Sequence, residues 1–77
     1  MTTIASALET EFTPSVGDFI AQVTNGYATL ARKNSSGAAF ASVGEPINGA
    51  VIVDNPISGA VYKFVAYQGA PAVQADQ

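Results

Sequence analysis

Six carboxylates, Glu9, Glu11, Asp18, Glu45, Asp54 and Asp76, face only three bases, Arg32, Lys33 and Lys63, in this 77-residue sequence. Two carboxylates set across a cleft are the equipment of a glycoside hydrolase, one acting as acid and the other as base or nucleophile. Such a cleft occupies roughly 300–1,000 Å³, which is much for so short a chain. Glu9 and Glu11 lie near the N-terminus and Asp76 near the C-terminus, while Asp18, Glu45 and Asp54 each adjoin Gly, Pro or Asn. Carboxylates in that company stabilise turns, so these three read as solvated turn residues. Asp54-Asn55 offers adjacent oxygen ligands for calcium, but the spacing of a calcium loop is missing and one pair supplies too few ligands. Ser and Thr are frequent, yet a nucleophilic hydroxyl needs a base, and the chain has no His. It also has no Cys, which removes disulfides and thiolate metal sites. The expectation is a protein that is not an enzyme and carries no metal or cofactor.

Two other groupings bear on binding. The glycines never cluster into a phosphate cradle ahead of a helix, and they read as turn markers. Tyr27, Tyr62, Phe64 and Tyr67 have the ring types of a stacking platform for sugars or bases. Their places on expected strands favour core packing instead.

The elements that would hold these residues are short apolar runs between turn signals. Residues 18–24 alternate, with Phe19, Ala21 and Val23 on one face and Ile20, Gln22 and Thr24 on the other. Asn25-Gly26 follows, a pair suited to a hairpin turn with two positive φ angles, and residues 27–33 pair back. The loop tip Asn34-Ser35-Ser36-Gly37 also forms a glycosylation triplet, which without a secretion signal carries no weight. A weaker strand spans 38–43, and Gly44-Glu45-Pro46 turns the chain. Asn48-Gly49 is either a bulge in a long strand or a turn of its own; clustered β-branched residues favour a strand confined to 50–54. Residues 60–67 are apolar on both faces, which marks a strand that is central or covered twice. Together these runs predict an all-β fold, a small antiparallel meander closed as a barrel or sandwich.

The ends are different in kind. Ile4, Leu8 and Phe12 recur every fourth residue, and Ser6 with Glu9 matches a capping box, as in a one- or two-turn helix stopped at Pro14. Residues 1–15 thus form an N-terminal arm, loosely ordered, docked on a neighbouring subunit through Ile4, Leu8 and Phe12, or laid over the chain's own β domain. The domain itself covers 16–69, and 70–77 has no period and reads as a tail.

Composition points to company. The chain is 48% hydrophobic and 12% charged, so it holds more apolar material than a small interior hides. Domains of this size usually add disulfides, a metal or oligomerisation, and only the last remains open. A net charge of −3 argues against nucleic acid, and no apolar stretch approaches the roughly 20 residues that span a bilayer. The first residues lack the basic and apolar regions of a signal peptide, which suggests synthesis and folding in a cytoplasm. Symmetric self-assembly is the simplest use of surplus apolar surface.

The lead Thr13-Pro14-Ser15-Val16-Gly17-Asp18-Phe19, the strands rich in Ala, Gly, Ser and Thr, and the ending after Tyr67-Gln68-Gly69 resemble the small head-decoration, or cement, proteins of tailed bacteriophages. The resemblance is one of style over most of the chain. It implies a non-enzymatic β protein on the outer surface of a virion, made in the host cytoplasm and assembled as a homo-oligomer, a trimer. Its partner would be the major capsid protein, with neighbouring capsomers bridged against internal pressure. The other reading is a fibre or tail module that binds a host-surface carbohydrate through exposed Tyr residues.

Overall fold

A computed structural model describes residues 1–35 and 37–77. Ser36, the third residue of the glycosylation triplet and part of the expected loop tip, lies outside them. Four strands are formed: β1 (Thr3–Ala5), β2 (Gly17–Lys33), β3 (Ala41–Asn55) and β4 (Val61–Asp76). They make one antiparallel sheet in the order β1-β4-β2-β3. The all-β expectation is met. The sheet does not close, so the barrel is not formed, and among the described residues there is no second sheet to complete a sandwich.

Long strands replace the expected short ones because three of the turn signals act as bulges. Asn25-Gly26 does not reverse the chain; β2 runs through it, with φ of 62° and 144° at the two residues. The consequence is a switch of parity. Phe19, Ala21 and Val23 are buried before the bulge, and Ala28 and Leu30 after it. Without an irregularity, the apolar residues of the second half would point to the opposite face. β4 makes the same switch near Gly69 (φ 76°), burying Tyr62 and Phe64 before it and Pro71, Val73 and Ala75 after it. The residues read as a tail therefore continue β4 as far as Asp76. In β3, Gly44-Glu45-Pro46 and Asn48-Gly49 are both absorbed into one strand, which overturns the preference for a strand confined to 50–54.

The bends fold the sheet over on itself. Seventeen residues of straight strand would reach about 50 Å, whereas the molecule's longest extent is 31 Å. The link between β3 and β4 is a second constraint. Asn55 pairs with Gly17 at the start of β2, and Val61 pairs with Lys33 at its end. Only residues 56–60 connect them, a span of at most about 20 Å. The two ends of β2 must therefore lie close together. They do: Phe19 from the first half meets Tyr62, which pairs with Arg32 of the second half, ring centroid to ring centroid at 5.1 Å.

The core lies between the two halves, around Phe19, Val23, Leu30, Tyr62 and Phe64. A buried amide pins the fold where the ends meet. Asn55 Nδ2 donates to the carbonyls of Pro14 and Ser15, both at 3.1 Å, and Asn55 Oδ1 accepts from the Tyr62 hydroxyl at 3.1 Å. One side chain thus joins the lead into β2, the end of β3 and the start of β4. The C-terminus is tied down as well, since Thr2 and Gln77 exchange two backbone hydrogen bonds of 2.9 Å.

If the bulges are what bend the sheet, glycine matters most where two backbones meet. A methyl group at Gly26 would run into the Gln68 carbonyl oxygen, whereas one at Gly44 would meet open space. Gly26→Ala should cost roughly 3 kcal/mol or more, combining strain with displacement of β4. Gly44→Ala should cost only about 1 kcal/mol for its left-handed φ. Urea denaturation of the two variants checks this, and equal losses would count against it.

Candidate interaction surface

The two edges of the sheet are treated differently. Along β4 the N-terminal segment closes the edge: β1 pairs with residues near Asp76, Glu9 N–H donates to the Phe64 carbonyl at 2.9 Å, and Phe12 and Tyr62 exchange backbone hydrogen bonds of 2.9 and 2.8 Å. Phe12 is 7% exposed and stacks on Tyr62 and Phe64 at 5.8 Å from each. Ile4 and Leu8 are half-buried against the same core. The structure thus lays residues 1–15 over the chain's own fold. No helix forms there, and the expectation that Phe12 is free to dock on a neighbour is corrected. The four-residue spacing of Ile4, Leu8 and Phe12 arises from an extended segment interrupted by a turn near Glu9, whose φ is 61°.

The β3 edge has no strand beyond it among the described residues. Because the sheet is folded over, this edge is also the open mouth between its two halves. A groove of about 450 Å³ runs along it, lined by Leu30, Val43, Ile47, Val51 and Val53, with Glu45 and Asp54 also contributing. Leu30 pairs with Val43, Ala28 with Ile47, Ala21 with Val51 and Phe19 with Val53. The groove is therefore the margin of the core itself, left without a cover. Val51 is 39% exposed. On the outer face Ile52 is 73% exposed, beside the partly buried Ile20 with which it pairs.

Of the groups that suggested chemistry, Glu9 and Glu11 are engaged in ion pairs, while Glu45 and Asp54 border the groove. Glu9 pairs with Lys63 at 3.1 Å and Glu11 with Lys33 at 3.8 Å, all at or near the surface. Asp18 and Asp54, read as turn residues, lie within strands and face each other across β2 and β3. Both are exposed, as is Glu45 within β3. Asn55 is no calcium ligand, because its amide oxygen already accepts from Tyr62 and, at 3.4 Å, from the Ile57 N–H. No group of three metal-binding side chains occurs among the described residues.

Of the tyrosines, Tyr62 is fully buried, while Tyr27 and Tyr67 are exposed where β2 and β4 bend. The open β3 edge was not visible in the sequence, because it follows from strand order. Its only local trace is the run Ala50-Val51-Ile52-Val53, apolar on both faces without a Lys or Pro to blunt it.

If Phe12 is core, Phe12→Ala should destabilise the isolated chain by about 3–5 kcal/mol. Ile4→Ala, at a half-buried position, should cost about half as much. Thermal unfolding of the two variants distinguishes this from a docking arm, for which stability would stay unchanged. No protein-family model, curated protein or solved structure matches the chain.

Proposed function

We propose that this chain is a structural assembly protein that works through protein–protein contacts, and that its setting is the decoration of a tailed-phage head. One observation carries the assembly reading: the apolar margin of the core along β3 is left open, on an edge whose backbone is free to pair. Apolar surface beside an unpaired strand is what a partner strand covers best. The phage setting rests on the sequence resemblance. In this reading the partners are further copies of the chain and the major capsid protein, and the place is the virion surface. The chain acts without catalysis, by burying apolar area at junctions between subunits.

A second reading keeps one observation in its favour. Tyr27 pairs with Gln68, next to Tyr67, so two exposed tyrosines belong to the same bend. Such a pair suits a sugar ring, and a glycan array losing signal in Tyr27→Ala and Tyr67→Ala would support a carbohydrate-binding module.

The assembly reading is tested on phage heads whose genome encodes the chain. The protein should remain with heads through a density gradient, detected by mass spectrometry. Val51→Asp, which places a carboxylate in the groove while leaving the folded core intact, should weaken retention by about 10-fold or more. A chain absent from purified heads would contradict the decoration role.

A further inference from the structure

We infer that the open edge is covered by a second copy of the chain, with β3 paired to β3 across a two-fold axis centred on Ile52. The inference deepens the assembly reading above, and the arguments for it are local to residues 49–55.

The first argument is the edge itself. Between Gly49 and Asn55 the pairing with β2 is regular, residue for residue. Its irregularities all lie earlier, around Gly44, Pro46 and Asn48. Natural edges are blunted by charges, Pro, bulges or short length, and this segment carries only one such device, the exposed Asp54 near its end. A regular edge with its centre unblunted admits another strand.

The second argument is register. Antiparallel pairing about a two-fold axis puts one residue opposite its own copy, and every other pair follows from that choice. Centring on Ile52 sets Ile52 against Ile52, Val51 against Val53 and Ala50 against Asp54. The three β-branched residues then pair only among themselves. The Asp54 carboxylates face alanine and stay apart, by about 14 Å along the strand. Centring on Val53 would set Ile52 against Asp54, and centring on Val51 would set Val53 against Gly49. The Ile52 register alone pairs the three β-branched residues entirely with one another, and β-branched cross-strand pairs are favourable, so it is preferred.

The third argument is what becomes covered. On the outer face of this half of the sheet, the neighbours Gln22, Thr24, Ala50, Ala72 and Gln74 are small or polar and exposed, and Ile52 stands out. In the dimer Ile20 and Ile52 of both copies form one unbroken strip. On the inner face, an axis perpendicular to the sheet keeps both concave sides together. The two open mouths then face each other, and their grooves merge into one apolar space enclosed by both copies.

The test is sedimentation equilibrium of the full chain and three variants, with circular dichroism to verify folding. The chain should be a dimer at micromolar concentration. Ala50→Lys sets an ammonium group against Asp54 of the other copy twice over, and should tighten the dimer by about 2- to 30-fold. Ala50→Asp should loosen it by a similar factor, and Ile52→Lys, which opposes two ammonium groups at the axis, should leave monomer. Ala50 is exposed, so its two variants report on pairing even if Ile52→Lys fails to fold. A monomer throughout, a trimer, or a dimer indifferent to the charge at position 50 would overturn the inference. A dimer that obeys these changes but does not bind phage heads overturns the decoration role alone. A chain that binds heads as a monomer overturns the pairing alone.

Discussion

The link of residues 56–60 is the constraint from which the rest of this structure follows. β3 and β4 flank β2 on opposite sides and both run antiparallel to it, so the link must pass from one end of β2 to the other. Five residues cannot cross the length of a straight 17-residue strand. The sheet has to double over, and bulges at Asn25-Gly26 and Gly69 let it do so without sending the apolar side chains of its second half outward. The buried Asn55 amide then fastens the place where the ends meet. Its cost of burial is offset because both of its polar atoms are hydrogen-bonded.

A sheet folded this way has two margins, and the chain has material to seal only one. The N-terminal segment lies along β4 and contributes Phe12 to the core. Among the described residues nothing equivalent lies along β3. The groove there is an unfinished core margin, lined by the same kinds of residue that fill the interior. This connects the composition to the architecture: part of the apolar surplus over what a small interior hides, Val51 and Ile52, lies at the margin left open.

Much of the strand content was legible from alternation alone. The run Phe19, Ala21, Val23 and the two-sided apolar stretch ending at Tyr67 were read as strands, and the latter does lie between β2 on one side and the backbone of Glu9 and Phe12 on the other. What misled was punctuation. A hairpin turn and a bulge both call for positive φ, so Asn25-Gly26 suits either, and only pairing over distance decides between them. Residues 69–77 looked like a tail because their side chains are small. The alternation of Pro71, Val73 and Ala75 was nevertheless that of a strand. The place of Phe12 was hidden for a related reason, since three apolar residues in a terminal segment say that they will be covered but not by which surface. The groove itself lay beyond sequence reasoning, because strand order is set by the whole chain.

The central claim is that the β3 edge is open in the single molecule and becomes covered by association. Amide hydrogen exchange measured across a concentration series tests it most directly. The account predicts that the outward-pointing amides, every second one within residues 49–55, exchange readily in dilute solution and gain protection as concentration rises, while those of β4 stay equally protected throughout. Protection along this edge that is already complete in a dilute monomer, or that never changes with concentration, would contradict it.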